Sequence, residues 1–218
     1  MSLRDRLRHV HWIGGGPGGG KSTMAARLAE RHGMLRYSTD DTMRAHGAVL
    51  TTPYVARFKA MTMDERWVTR TPEEMLETFP WFRGEGFDLI VEDLLRMPAG
   101  APVVVEGFRL LPHLVAPLLA DLRRAIWLLP TAGFRRAALD TRGFTWTIPN
   151  QTSDPPRAVR NMAERDRMFV DRLVAETARL GLRALRPAPG LTEDQLYEQV
   201  AEAFGLPGNV PAHDQRPV

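Results

Sequence analysis

The segment Gly14 to Thr23 reads GGGPGGGKST, and within it Gly15, Gly20, Lys21 and Ser22 fit the spacing G-x-x-x-x-G-K-[ST]. A polyphosphate needs bare backbone N–H groups wrapped closely around its oxygens, which glycines permit. A helix opening just behind them turns its positive dipole end toward the anion. Gly15, Gly16, Gly18, Gly19 and Gly20, with Thr23, are the expected cradle. Lys21 is expected to span the β- and γ-phosphates of ATP, and the Ser22 hydroxyl to ligate Mg²⁺. Lysine is otherwise almost absent: Lys21 and Lys59 stand beside 27 arginines. That skew weakens any argument from a single arginine and makes Lys21 conspicuous.

Carboxylates mark two further places. Asp40 and Asp41 follow a short strand candidate, Leu35 to Ser38, and Glu106 ends the apolar run Pro102 to Val105. An acidic group at the end of a strand can accept a hydroxyl proton, hold Mg²⁺ through water, or cap the next helix. Asp40 reads equally well as a helix cap, whereas Asp41 and Glu106 read as functional. Charge developing on a transferring phosphoryl group is met by arginine brought in from a lid. Residues 135–165, the expected lid region, and the helix start behind it offer Arg135, Arg136, Arg142, Arg157, Arg160, Arg165 and Arg167. Arg157 and Arg160 are favoured, because they follow a polar loop and open the helix that returns from it.

The chain resembles the P-loop kinases of the nucleoside monophosphate kinase type over residues 9–44, 102–139 and 157–204. The stretch Tyr37-Ser38-Thr39-Asp40-Asp41-Thr42-Met43-Arg44 is similar to the S-T-G-D-x-x-R of adenylate kinases, and Glu106-Gly107-Phe108-Arg109 to their D-G-F-P-R. The resemblance implies that Thr39, Asp41, Arg44 and Arg109 contact the phosphoryl acceptor, with Asp40 and Glu106 beside them. Asp40 stands where the family has glycine, Glu106 where it has aspartate, and the proline before Arg109 is missing. Residues 45–100 match no acceptor-binding segment of that family.

These residues need a scaffold of short strands and helices. Strands are expected at His9–Ile13, Leu35–Ser38, Pro102–Val105, Arg124–Leu129 and Arg183–Leu185, in a parallel α/β arrangement. Helices are expected at Lys21–His32, stopped by Gly33, and at Phe87–Met97, Leu110–Leu122 and Ala158–Leu180. A last helix is capped by Thr192 with Gln195, and Thr71 with Glu74 opens another. Residues 45–100 read as a helical acceptor-side insertion, whose Met61, Met63, Trp67 and Trp81 belong to a core. Residues 141–156 read as an exposed loop and 209–218 as a frayed tail. The expected fold class is a three-layer P-loop NTPase fold with a parallel five-stranded sheet, an insertion and a lid, in one domain over 1–208.

Composition narrows the function classes. With 44% apolar and 25% charged residues over 218, the chain is globular rather than disordered. Having no cysteine, it has no disulfide scaffold, thiolate metal site or cysteine nucleophile. No apolar run approaches the ~18 residues of a membrane span, and the charged start MSLRDRLRHVHW lacks a signal-peptide core, so a cytoplasmic address is expected. Its 29 basic and 26 acidic residues are interleaved, which makes nucleic acid an unfavoured partner. The expected activity is ATP- and Mg²⁺-dependent phosphoryl transfer to a small-molecule acceptor, either a hydroxyl compound or a nucleoside monophosphate. A P-loop ATPase or nucleotide switch and a polynucleotide kinase are the alternatives, and the oligomeric state stays open.

Overall fold

The computed structural model describes residues 1–141 and 148–207. In chain order the elements are α1 (Leu3–Arg6), β1 (Val10–Gly15), α2 (Lys21–His32), β2 (Leu35–Ser38), α3 (Thr39–Val49), α4 (Pro53–Ala60), α5 (Met63–Trp67), α6 (Pro72–Thr78) and α7 (Phe87–Arg96). They continue with β3 (Val103–Glu106), α8 (Pro112–Val115), β4 (Ala125–Leu128), α9 (Ala132–Thr141), α10 (Pro155–Arg179), β5 (Ala184–Leu185) and α11 (Glu193–Phe204).

The five strands are all parallel, in the order β2-β3-β1-β4-β5. Alternation along the strands assigns the two faces. Ile13, Val104, Ile126 and Leu128 meet Met24, Ala25 and Leu28 of α2 and Leu196, Val200 and Phe204 of α11. Trp12, Val103, Val105 and Trp127 meet α7, α10 and the aromatic residues between positions 67 and 82. Helices on both faces of an all-parallel sheet make a three-layer α/β fold of the P-loop NTPase type. Register fixes the working edge: Glu106 lies level with Ile13 on one side and Ser38 on the other. The residues singled out for chemistry follow the carboxyl ends of β1, β2 and β3, where open parallel sheets hold ligands.

Local signals placed most element ends. Gly33 closes α2 in the left-handed conformation, and capping boxes open α6 at Thr71 and α11 at Thr192. The helix expected over Leu110–Leu122 is a correction. It is one turn, α8, then a 3₁₀ turn at Ala116–Leu118, because Pro117 carries no N–H for a continuing helix. A second 3₁₀ turn, Leu122–Arg124, is capped by Asp121. The returning helix begins at Pro155 rather than Ala158, since Asp154 accepts the Arg157 N–H and proline suits a first turn. The expected exposed loop is shortened from both ends: α9 runs to Thr141, and Pro149 is buried in a 3₁₀ turn. Residues 142–147 of that loop, the tail expected at 209–218, and Arg142 lie outside the described residues.

The segment between α3 and β3 packs on α10. The Asn161 amide donates to the carbonyls of Trp67 and Val68 at 3.2 and 3.1 Å, and Asp64 accepts the Ser153 N–H at 2.7 Å. Trp67 and Trp81 are buried, as expected of core residues.

Candidate active site

The loop between β1 and α2 ends on Gly20, which caps the helix at φ 84° with no side-chain oxygen on the freed N–H groups. A side chain at that left-handed position would be strained, and without a cap the first-turn amides face outward. Lys21 is buried, and its ammonium donates to the Gly16 carbonyl at 2.8 Å, so the cation lies across the mouth of the loop.

Glu106 faces this mouth from the end of β3. It is 2% exposed, and burial raises its pKa. The Lys21 charge and the hydroxyls of Ser38 and Ser22 pull it back down, while Asp40 pushes it up. Oε2 of Glu106 has no hydrogen-bond partner among the described residues. Sequence reasoning missed Ser38; its signal was register, since β2 ends level with Glu106.

Asp40 and Asp41 occupy the first turn of α3, and both are exposed. The Asp40 carboxyl nevertheless has a raised pKa: partial desolvation and Asp41 push it up, against the charges of Lys21 and Arg109. Asp40, Asp41, Glu106 and Lys21 therefore share one electrostatic environment. Thr39 is fully buried with its hydroxyl against Gly107, where a Cβ would sit 1.7 Å from Thr39 Oγ1. Thr39 thus packs the start of α3 against the loop after β3. Arg44 is exposed, four residues beyond Asp40 on α3.

Arg109 has a different setting from the one its motif implies. It is 2% exposed, and its guanidinium lies 4.7 Å from the Trp81 ring centre. Nη1 donates to the Thr39 carbonyl at 3.2 Å; Nη2 reaches the Gly86 carbonyl and His46 Nδ1, both at 3.1 Å. Arginine can only donate, so His46 Nδ1 accepts and its Nε2–H donates to Asp93 at 2.9 Å. The Tyr37 hydroxyl donates to the same Asp93 oxygen at 2.6 Å, and burial raises the Tyr37 pKa further.

On the other flank of the phosphate loop, α9 and α10 enclose a cavity of about 670 Å³. Arg135, Arg136, Arg160, Arg167 and Arg186 line it, with Glu164 and Asp171. Arg167 is paired with both acids. Arg135 lies against the loop, its Cγ 2.8 Å from where a Cβ on Gly18 would be, and donates to the Ala163 carbonyl at 2.7 Å. Arg136, Arg160 and Arg186 form no ion pair among the described residues. Of the two favoured lid arginines, Arg160 lines the cavity. Arg157 is exposed, outside the lining, with its backbone N–H on Asp154. Arg165 lies outside the lining as well. It is buried against Asp166 at 2.6 Å, with the rings of Trp67, Phe79 and Phe82 5.0–5.1 Å away. Arg186 went unnoticed in the sequence, although it follows β5 on the working edge.

The donor set suits Mg²⁺ held mainly by phosphate oxygens. Among the described residues no group of three His, Asp or Glu forms a metal cage, whereas the Ser22 hydroxyl and the unpartnered Glu106 oxygen face one space. No helix of the described residues is long and apolar enough to cross a membrane.

No protein-family model matches the chain. Over 94 residues, 43% of its length, it is 35% identical to an adenylate kinase of Novosphingobium aromaticivorans. The matched stretch spans 37% of that relative, little more than a third of its length. This partial likeness supports a kinase-like P-loop fold.

Proposed function

We propose that the protein is an ATP- and Mg²⁺-dependent phosphotransferase acting on a small-molecule acceptor. The observation that carries the proposal is the convergence of Lys21, Ser22 and Glu106 at the uncapped start of α2. Glycine amides and the helix N-terminus hold the β- and γ-phosphates, and Lys21 leaves the Gly16 carbonyl to bridge them. Ser22 and Glu106 would hold Mg²⁺, whose contribution when bound is to neutralise charge on the phosphate oxygens. Arg135, Arg136 and Arg160 supply positive charge from the flanking cavity, which is of a size to accept a nucleotide.

Transfer forms a bond from the acceptor's hydroxyl oxygen to the γ-phosphorus and breaks the bond to the β–γ bridging oxygen. ADP leaves with that electron pair, and the hydroxyl proton passes to a carboxylate. Asp40 takes precedence over Asp41 as that base. Its carboxyl interacts with Lys21, and its raised pKa brings it closer to the range where a base is effective. Catalysis is then positioning plus charge neutralisation, without a covalent intermediate.

One set of variants tests the reading by nucleotide affinity and single-turnover transfer. Lys21→Ala is expected to lose on the order of 10²-fold or more in transfer while remaining folded. Asp40→Asn is expected to lose roughly 10²- to 10⁴-fold in transfer with nearly unchanged ATP affinity, and Asp41→Asn less. Full turnover by Lys21→Ala at saturating ATP would remove the basis of the proposal. Hydrolysis that no acceptor accelerates would instead indicate an ATPase or switch.

A further inference from the structure

We infer that the acceptor is an uncharged or cationic hydroxyl compound rather than a phosphorylated one. The inference rests on the phosphotransferase reading and adds the chemical class of the second substrate.

An acceptor carrying a phosphate needs guanidinium groups with donors to offer it. Arg109, one of the two arginines at the motif positions, is 2% exposed and so withheld from an incoming ligand. Three of its five N–H donors are held by the carbonyls of Thr39 and Gly86 and by His46 Nδ1, Nε is buried with no partner among the described residues, and Trp81 lies over the guanidinium. His46 is fixed in turn by Asp93, and Asp93 by Tyr37. Turning Arg109 toward a ligand would leave two carbonyls and an imidazole nitrogen without donors in a buried place. Arg109 therefore straps the first turn of α3 to the loop after β3.

The charges that remain free are mostly negative. Asp40 and Asp41 stand at the start of α3, and their mutual repulsion contributes to the raised Asp40 pKa. Arg44 follows Asp40 by one helical turn and is exposed, with no ion pair to it among the described residues. Lys21 belongs to the phosphate loop. Glu106 adds a third carboxylate, buried and with Oε2 unpartnered. Even with that group turned to the metal, an incoming dianion meets two aspartates that exposed Arg44 and the buried charge of Arg109 offset only in part. A hydroxyl finds acceptors for its proton in the same place, and a nearby ammonium would be attracted.

Adenosine 5′-tetraphosphate tests this without knowledge of the acceptor, because its fourth phosphoryl group projects past the γ position. Affinities of its Mg²⁺ complex and of MgATP are measured by displacement of a fluorescent ATP analogue from the full chain. The tetraphosphate is expected to bind at least about tenfold more weakly than ATP, as like charges in close contact require. The gap is expected to narrow severalfold in Asp40→Asn/Asp41→Asn, and likewise for the wild type in about 1 M salt. The salt arm serves should the double variant not fold. A smaller gap in the wild type overturns the inference, and so does a gap that neither salt nor charge removal narrows, since that gap is steric. If ATP itself does not bind, or if Lys21→Ala leaves transfer intact, it is the phosphotransferase reading that has failed.

Discussion

A carboxylate 2% exposed at the end of an apolar strand lowers stability unless its charge is fully compensated, and Lys21 with two hydroxyls compensates Glu106 only in part. Its pKa is raised above the ordinary 4.5, so the folded chain holds this proton more tightly than the unfolded chain. Below the ordinary value both states are protonated and the group costs nothing. Between the ordinary and raised values stability falls as pH rises, and above the raised value the whole penalty stands. Glu106→Gln is therefore expected to raise Tm at about pH 8, to lose that advantage near pH 4, and to weaken MgATP binding. Thermal unfolding at both values together with nucleotide titration checks it; a variant less stable at the higher value contradicts the sign. At this scale the sequence was legible where spacing along the chain carries the chemistry, as in Gly15 to Ser22. It was not legible at Arg109, because Gly86 and His46 reach its guanidinium from 23 and 63 residues away.

Elements were legible where a local signal settles them. Buried strands such as Val103–Glu106 announce themselves as apolar runs, and Thr71 and Thr192 mark helix starts by their capping boxes. The stretch after β3 shows the limit: its apolar spacing suits one helix, yet Pro117 divides it. Nothing local reports that α5 and α6 pack on α10, some ninety residues later in the chain. Asn161 is the hinge pin of that contact, satisfying two carbonyls at the end of α5 with one amide. Asn161→Ala leaves those carbonyls without their donor, and a loss of about 1–3 kcal/mol in unfolding free energy is expected. Urea unfolding measures the loss. Hydrogen exchange localises it, with faster exchange expected in residues 63–71 and no change in α2 or α11. Uniform acceleration across the sheet would instead make Asn161 part of the global core.

In the whole molecule the sheet divides two kinds of surface around one phosphate loop. Beyond β2 and β3 lie carboxylates with Arg109 locked behind them. Beyond β4 lies a cavity with five arginines, of which only Arg167 is paired with both of the lining acids. Guanidinium groups from α9 and α10 face each other across that space and repel, at an energy that falls as salt rises. A triphosphate between them replaces repulsion with attraction, drawing α9 and the first half of α10 toward the loop. Both halves of α10 pack on the same cluster, through Ala158 and Met162 and through Phe169 and Leu173, but beyond Asp171 no residue of the helix lines the cavity. MgATP is therefore expected to slow hydrogen exchange in residues 132–141 and 155–165 more than in 172–179. Ligand binding alone stabilises the whole fold by about 2.7 kcal/mol at a hundred times Kd, which slows globally exchanging amides together. The prediction lies in the excess over that uniform effect, and mass spectrometry of peptides from the two halves of α10 reads it directly. Equal slowing in both halves would mean that the arginines of α9 and α10 do not close on the nucleotide. Arg160→Ala would then leave transfer unchanged.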